Sequence, residues 1–379
     1  MDFPSLKNED AFRRQLSRQY SAFEDALDAK LDQPSKTRQL WHTPTELFAP
    51  HYGDAIARYL LANYKLTLYP YHDLIIHEVG AGNGTLMRNI LDYIKDTDPE
   101  AYARTRYRII EISSRMSARQ QQHLASEHAA HIQLINKSIF DWDTYVPEPN
   151  YFLALEVADN FPHDLVRYAP GSSGDPLQAI VLIDGAGDFF EFYTPQLDPL
   201  AASFLRLRTA TAERHARRHP RAGPLFPDAR SPPLLTRFSR ALSPFAPQLS
   251  DAEYLPTHLH RFFAILHHAF PSHRLLLGDF SSLPNAVPGI NAPVVQTRFE
   301  RRVVPVRTPF VHQGFFDILF PTNFELAEAM YRARTGKLTR VLPQSEFLER
   351  WARVGDARTG DGECPMLSWY QNAKVLMTV

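Results

Sequence analysis

An apolar run that ends in three closely spaced glycines restricts the fold of this chain more than any other stretch. The run is Leu74–Ile76, and the glycines lie in the segment Glu78-Val79-Gly80-Ala81-Gly82-Asn83-Gly84. Apolar residues with helical spacing come next, namely Leu86, Met87, Ile90, Leu91 and Ile94. This order predicts a buried strand, a tight turn and a helix. Because glycine lets the backbone approach a ligand closely and a helix start favours an anionic group, the turn is predicted to bind a ligand.

The spacing of the glycines selects among the ligands that such turns bind. A dinucleotide-binding turn has the pattern G-x-G-x-x-G, but here the third glycine comes one residue early and Thr85 stands in its place. A phosphate-binding P-loop needs a lysine after its last glycine, and none follows Gly84. The remaining pattern, E-x-G-x-G-x-G, resembles that of class I S-adenosylmethionine (SAM) methyltransferases. This resemblance implies that Glu78 orders the turn or reaches the donor, and that Gly80, Ala81, Gly82, Asn83 and Gly84 hold the methionine part of SAM. A nucleotide-binding turn and a purely structural turn are the alternatives.

Composition limits the other classes of protein. The 379 residues suit one α/β domain with insertions, and a net charge of -1 offers no argument for binding nucleic acid or anionic membranes. The single cysteine, Cys364, excludes an internal disulfide and a multi-cysteine zinc site. No apolar run is long enough to span a membrane. Acids near the start, Asp2, Glu9 and Asp10, are atypical of a mitochondrial presequence. We therefore expect either that a presequence is missing from this chain or that the targeting signal is encoded elsewhere.

Acids that come after the next two predicted strands suit the adenosine part of the donor. Glu111 and Ile112 end the second strand, where a carboxylate can accept hydrogen bonds from both hydroxyl groups of a ribose, and a surface glutamate is the alternative. Asp141 follows the third strand beside Trp142. A ring can stack on adenine while a carboxylate accepts a hydrogen bond from its amino group. Asp143 is the alternative to Asp141.

A second pair of acids comes after the fourth predicted strand, Tyr151–Leu155. These are Glu156 and Asp159 in the segment Glu156-Val157-Ala158-Asp159-Asn160-Phe161-Pro162. Ligands of open α/β sheets bind at the carboxyl ends of the strands, so this pair is predicted to lie over the reactive methyl group. Two carboxylates there could hold a guanidinium and orient its nitrogen. The alternative is that both acids cap the start of a helix.

The remainder of the chain alternates strands and helices around one proline-rich segment. Residues 178–193 predict a β-hairpin whose G-x-G is a turn, and residues 254–270 predict a helix. Histidines on that helix lack the carboxylate of a metal-binding motif, so no metal site is predicted. Residues 220–247 are rich in Pro, Ser and Arg, a composition that predicts a solvated loop, with an arm that docks on RNA or protein as the alternative. Thr322 with Glu325 predicts a capping box for the next helix.

Taken in order, these motifs resemble the MidA-like family of SAM-dependent methyltransferases, whose mitochondrial members assist assembly of respiratory complex I. Residues 80–87 are similar to the family's G-x-G-x-G-T-L-M, and residues 156–162 resemble part of its N-E-F-F-D-A-L-P. Gly278-Asp279-Phe280-Ser281 stands where the family has I-D-Y-G, and Gln313-Gly314 with Asp317-Ile318 resembles its G-x-x-D-I. Thr43-Pro44 and Tyr52-Gly53-Asp54 are similar to its T-P-E-I-S and F-G-E, with altered spacing. The likeness covers nearly the whole chain from about Trp41.

The resemblance implies a class I Rossmann-like fold, SAM as donor, protein arginine as acceptor and a place in the mitochondrial matrix. The chain departs from the family's pattern on the acceptor side, at Leu155, Val157, Ala158 and Asp164, whereas the donor side is intact. The sequence therefore supports two alternative functions. One is methylation of a protein side chain, with Glu156 and Asp159 orienting the acceptor. The other is a catalytically weak assembly factor for the mitochondrial ribosome or complex I. An NAD-dependent oxidoreductase is disfavoured by the glycine spacing.

The predicted fold class is α/β, a doubly wound sheet with a helical and proline-rich insertion and added strands. The predicted organisation is an N-terminal helical cap over residues 1–64 and a SAM-binding core over 65–200. The insertion spans 201–255, and residues 256–379 complete the core with C-terminal strands and helices.

Overall fold

A seven-stranded sheet forms the centre of one of the two units into which this computed structural model divides. The structure describes residues 12–16, 43–123, 128–169, 174–218, 249–299 and 302–379. The first unit, called the central-sheet unit below, comprises His42–Asp159, His258–Ser282 and Thr322–Val379. The second unit comprises residues 160–257 and 283–321 with the helical residues 12–16, as far as these are described.

The central sheet is mostly parallel. Its strands are β1 (Leu74–Val79), β2 (Thr105–Ile110), β3 (Ile132–Ile135), β4 (Asn150–Leu155), β9 (His273–Phe280), β13 (Thr339–Pro343) and β14 (Ala373–Thr378). Their order in the sheet is β13-β14-β9-β4-β1-β2-β3, and β14 runs antiparallel to both of its neighbours. The chain winds outward from β1 to β3 in one direction and from β4 in the other, so the order reverses between β1 and β4. Ligands of doubly wound sheets bind beyond the carboxyl ends of strands at such a reversal. The predicted α/β doubly wound fold is therefore confirmed.

Helices of the central-sheet unit are α1 (Pro44–Leu47), α2 (His51–Thr67), α3 (Thr85–Thr97), α4 (Pro99–Ala103), α5 (Ser114–His123), α7 (Thr257–Ala269), α8 (Phe324–Thr335), α9 (Gln344–Trp351) and α10 (Pro365–Ser368). Every residue of β1 is buried, as is usual for a central parallel strand, including the polar His77 and Glu78 that follow its apolar run. Helices α2 and α3 approach so closely that a Cβ on Gly53 would lie 2.5 Å from the Cβ of Asn89. This packing fixes the helix after the glycine turn against the hydrophobic core.

The second unit contains two smaller antiparallel sheets. One is formed by β5 (Asp164–Tyr168), β6 (Pro176–Ile183), β7 (Phe189–Thr194) and β8 (Glu253–Leu255), in the order β7-β6-β5-β8. The other is formed by β10 (Val294–Phe299), β11 (Arg302–Val306) and β12 (Asp317–Leu319), in the order β11-β10-β12. Helix α6 spans Pro199–Arg218. The predicted hairpin is confirmed as the β6–β7 pair, with Ile183 opposite Phe189.

Two expectations from sequence differ from the structure. The helix predicted to begin at residue 254 begins at Thr257, because Glu253–Leu255 pairs with β5 as a strand. The cap of α8 is Asn323, whose side chain accepts the Leu326 N–H, and Thr322 instead donates its backbone N–H to Phe280 O. In the second unit, pairing of β5 with β8 joins residues around 164 to residues around 254.

Several predicted features lie outside the described residues. Most of the N-terminal cap, residues 1–11 and 17–42, and the proline-rich residues 219–248 belong to this group. Within the part of the chain that the structure describes, no helix is both long and apolar enough to cross a membrane.

Candidate functional site

The glycine turn lies at the carboxyl end of β1, where the strand order reverses. Gly80, Gly82 and Gly84 have φ values of 69°, 53° and 79°, a region that side chains disfavour. Gly84 caps the start of α3, and its N–H donates to Ala81 O at 2.8 Å. A Cβ on Gly82 would have no protein atom within 4 Å, so open space faces the backbone there. The predicted strand, turn and helix are all present, and their geometry fits a ligand that approaches the backbone closely.

Glu78 lies beneath this turn and is buried. Its Oε2 accepts a hydrogen bond from the Tyr107 hydroxyl at 2.7 Å. Burial raises the pKa of Glu78 to about 7, the Tyr107 hydrogen bond opposes this rise, and the charge of Glu111 adds to it. Of the two predicted roles, this buried position favours ordering the turn over reaching the donor directly.

Glu111 and Ile112 follow β2 and differ sharply in exposure. Glu111 is 6% exposed and Ile112 is 74% exposed. Glu111 Oε1 accepts the Ser113 N–H at 2.8 Å, and Gln120 donates to Gly82 O at 2.8 Å while lying 3.5 Å from Glu111 Oε2. Because Glu111 is buried, the alternative of a surface glutamate is disfavoured. The carboxylate of Glu111 is suited to accept hydrogen bonds from a ribose, and the exposed side chain of Ile112 is suited to pack on the flat face of adenine.

Asp141 ends a short 3₁₀ helix, Ile139–Asp141, that comes after β3. The alternative acid, Asp143, forms an ion pair with Lys137 at 2.7 Å, whereas Asp141 is exposed and its side chain has no partner within the described residues. Trp142 packs its ring 5.0 Å from that of Phe270 and donates its Nε1–H to Thr144 O. Its ring is thus used in packing, and the exposed Ile112 is the better candidate for the adenine contact. Asp141 remains the predicted partner of the adenine amino group.

Glu156 and Asp159 lie beyond the end of β4, together with an acid to which the sequence alone assigned no role. Strands β4 and β9 are parallel neighbours in which Leu155 pairs with Gly278, so the next residues, Glu156 and Asp279, come side by side. Asp279 Oδ2 accepts the Asp159 backbone N–H at 3.0 Å, and its Oδ1 accepts the Phe280 N–H at 2.7 Å. We call Glu156, Asp159 and Asp279 the acidic cluster. The sequence does mark Asp279, as an acid that follows the apolar run Leu275–Leu277 after one glycine. Only the order of the strands in the sheet places it beside β4.

The acidic cluster is desolvated and holds its carboxyl groups close together. Burial raises the pKa of Glu156 to about 8, with the charge of Asp159 as the second cause. Burial and the charges of Asp159 and Glu156 raise the pKa of Asp279 well above its ordinary value. Glu156 has a φ of 55°, which is unusual for a side-chain-bearing residue and often marks a functional site. The segment after β4 forms only the 3₁₀ turn Ala158–Asn160, so these acids do not cap an α-helix.

Aromatic side chains accompany the acidic cluster. Burial raises the pKa of Tyr52 far above its usual value, with further contributions from the charges of Glu156 and Asp279. Burial and the charge of Glu156 raise the pKa of Tyr370 to about 12. The ring of Tyr370 packs 5.9 Å from that of Phe48. The Phe48 ring also meets Trp369, which is 60% exposed. We call Phe48, Tyr52, Trp369 and Tyr370 the aromatic wall. Carboxylates beside aromatic faces form an environment that suits a cation.

The donor turn and the acidic cluster meet at Val157. A Cβ on Gly80 would lie 3.1 Å from Val157 Cγ2, and Val157 stands between Glu156 and Asp159 in the chain. Asp164, one of the positions that depart from the family pattern, accepts hydrogen bonds from Gln178 and Thr257 within the second unit. The glycine turn and the acidic cluster are therefore adjacent, whereas the Asp164 carboxylate is engaged in hydrogen bonds within the second unit.

Comparison with known proteins gives a family for this chain. A family model described as "Putative S-adenosyl-L-methionine-dependent methyltransferase" matches residues 55–342. The chain is 28% identical over 327 residues to the mitochondrial "Protein arginine methyltransferase NDUFAF7 homolog" of Schizosaccharomyces pombe, covering 84% of this chain and 67% of that protein.

Two solved structures share the fold. A crystal structure from Burkholderia thailandensis bound to S-adenosyl-homocysteine has a TM-score of 0.55 and 16% identity, covering 89% of this chain and 78% of that one. A native crystal structure of a protein of the same superfamily and organism has a TM-score of 0.58 and 16% identity, covering 100% of this chain and 94% of that one. Both confirm the class I methyltransferase fold.

Proposed function

This chain belongs to the family of SAM-dependent methyltransferases whose model matches residues 55–342, and we propose that its acceptor is an arginine side chain of a protein. The observation that carries this proposal is the acidic cluster beside the aromatic wall, in which Asp159 and Asp279 are buried and Glu156 is half-buried. The cluster lies beyond the carboxyl ends of neighbouring strands in the sheet that also carries the donor turn. A guanidinium satisfies both features, because it donates to several carboxylate oxygens and stacks on aromatic faces. The resemblance to an arginine methyltransferase supports the same acceptor.

Residues of the donor site would bind the methionine, ribose and adenine parts of SAM. The glycine turn would hold methionine, Glu111 the ribose and Asp141 the adenine amino group. When bound, SAM supplies an electrophilic methyl whose C–S bond breaks as a C–N bond forms, with the electron pair kept by sulfur. Because such a displacement depends chiefly on position, the protein's main task is to align the acceptor nitrogen.

The acidic cluster would bind and orient the acceptor, and would accept its proton. A cation close to Glu156 lowers the pKa of that carboxyl, so binding of a guanidinium should release the proton that burial retains. The ionised carboxylates then hold the guanidinium through charge-assisted hydrogen bonds. Methylated arginine is still a cation, so one proton must leave the acceptor nitrogen during transfer. A carboxylate of the cluster would take this proton.

The test uses labelled SAM with purified subunits of respiratory complex I and mass spectrometry of the products. We expect methyl on arginine, and a loss of turnover of about 100-fold in Glu156→Gln and Asp159→Asn, because both remove a charge that orients the acceptor. SAM affinity should stay within about twofold in both, as measured by calorimetry. The exposed Glu349, on α9, provides the matched control Glu349→Gln, which should change neither quantity.

The outcome decides between the two functions. Methyl found only on other side chains would refute arginine as the acceptor. SAM binding without transfer to any subunit would support the alternative, an assembly factor that has lost catalysis.

We further propose that the protein acts in the mitochondrial matrix on a complex I subunit or a mitochondrial ribosome component. The mitochondrial name of its relative supports this location. An RNA contact through the Arg- and Pro-rich segment stays a prediction, because residues 219–248 lie outside the described part of the chain. Fractionation of cells that express the tagged protein tests the location, and recovery in the cytosol alone would refute it.

A further inference from the structure

We propose that Glu46 is a cofactor-binding residue whose carboxylate accepts the α-ammonium group of the methionine part of SAM. This inference rests on the family's cofactor and adds a residue from α1, a short helix that precedes the Rossmann-like core in the chain. In sequence, this segment is distinguished only by the likeness of Thr43-Pro44 to the family pattern, which assigns no role to Glu46.

The geometry joins Glu46 directly to the glycine turn. Its Oε1 accepts two hydrogen bonds, from Thr85 Oγ1 at 2.8 Å and from Asn83 Nδ2 at 3.0 Å, and these two residues flank Gly84. Its Oε2 makes no hydrogen bond within the described residues, and the side chain is exposed. One oxygen is therefore fixed by the turn while the other is available to a ligand.

The helical turn that carries Glu46 is itself held in place. Thr43 caps α1, with its side chain accepting the Glu46 N–H at 3.3 Å, and Pro44 is buried. Phe48, directly after α1, packs against Tyr370 and Trp369. A carboxylate on so short a helix is thus positioned before a ligand arrives, which reduces the entropic cost of binding.

Charge complementarity identifies the ammonium group as the partner. The methionine part carries a carboxylate, which suits the N–H groups at the start of α3, and an ammonium, which needs an acceptor. Glu78 is buried, bonded to Tyr107 and has a pKa of about 7, so it is a poor counter-ion. Glu111 is occupied by Ser113 and is the predicted ribose ligand. Among the acids that contact the turn in the described residues, Glu46 alone is exposed with a free oxygen.

The experiment measures binding by calorimetry, in wild type, Glu46→Gln and the control Glu349→Gln. The ligands are S-adenosyl-homocysteine and its analogue in which hydrogen replaces the α-amino group. Glutamine keeps an oxygen that can accept from Asn83 and Thr85, so Glu46→Gln removes the charge with little change to the turn. We expect Glu46→Gln to weaken binding of S-adenosyl-homocysteine by about 10- to 100-fold, the range of a lost charge-assisted hydrogen bond, and to change binding of the analogue by less than about twofold.

Each other result is decisive. Equal weakening for both ligands would show that Glu46 acts only through the structure of the turn, and unchanged binding of both would show that it takes no part. Either result overturns the inference and leaves the methyltransferase assignment standing. A wild type that binds neither ligand would instead overturn the cofactor assignment and the inference with it.

Discussion

Substitution of Gly82 by alanine tests whether the glycine turn holds the cofactor, because the structure separates its effect on stability from its effect on binding. Gly82 has a φ of 53°, and an added Cβ would meet no protein atom within 4 Å. Alanine is disfavoured in this left-handed backbone conformation, but the added Cβ would not clash with the protein. We therefore expect Gly82→Ala to lower the free energy of unfolding by only about 1 to 2 kcal/mol. The new methyl group would, however, project into the space proposed for the methionine part of SAM.

Gly336 offers a control with the same backbone cost. It ends α8 with a φ of 72°, and a Cβ there would also meet no atom within 4 Å. Urea unfolding should therefore give similar losses for Gly82→Ala and Gly336→Ala. Calorimetry with S-adenosyl-homocysteine should show at least about a tenfold loss of affinity for Gly82→Ala only, equivalent to about 1.4 kcal/mol.

A different pattern of results would refute this reasoning. If Gly82→Ala bound S-adenosyl-homocysteine within about twofold of Gly336→Ala, the open space beside Gly82 would not be the cofactor's position. Gly80→Ala would be a less direct test, because its Cβ would lie 3.1 Å from Val157 Cγ2 and would disturb the acidic cluster as well.

Two further predictions concern stability. Glu156 has a pKa raised from 4.5 to about 8, so the folded protein binds this proton more tightly than the unfolded chain does. Its contribution to the free energy of unfolding should fall as pH rises through that interval, by up to about 1.4 kcal/mol per pH unit, and Glu156→Gln should flatten the slope in urea titrations. Equal slopes in both proteins would contradict the raised pKa. Asn323→Ala should lower the free energy of unfolding by about 1 kcal/mol through loss of the α8 cap, as measured by urea unfolding. A smaller loss than in Thr322→Ala would show that Thr322 is the cap, as the sequence pattern predicts.

The local features of the donor side were predictable from sequence. The run Leu74–Ile76 with three glycines after it predicts a strand, a turn and a helix, and the structure contains all three. The position of Glu111 at the end of the second strand is predicted in the same way. Neighbouring residues determine these features, through apolar periodicity and the conformational freedom of glycine, so a single sequence contains enough information.

The acceptor side was only partly predictable. Glu156 and Asp159 stand out as acids after a strand, but the choice between binding an acceptor and capping a helix depended on the conformation of the residues around Asp159. The structure shows a short 3₁₀ turn there, and the cap of α8 is Asn323 where the sequence pattern predicts Thr322. In both places several polar residues compete for the same backbone groups, and packing around them decides which one succeeds.

By itself, the sequence determined the class of fold, the donor turn and the order of the acids along the chain. Only the tertiary structure brought Asp279 next to Asp159, 120 residues earlier, and Glu46 next to Asn83 and Thr85. The physical reason is that a doubly wound sheet pairs strands by their place in the sheet and not by their order in the chain. Side chains from distant segments therefore meet at the carboxyl ends of the strands, and no local pattern records which of them will be neighbours.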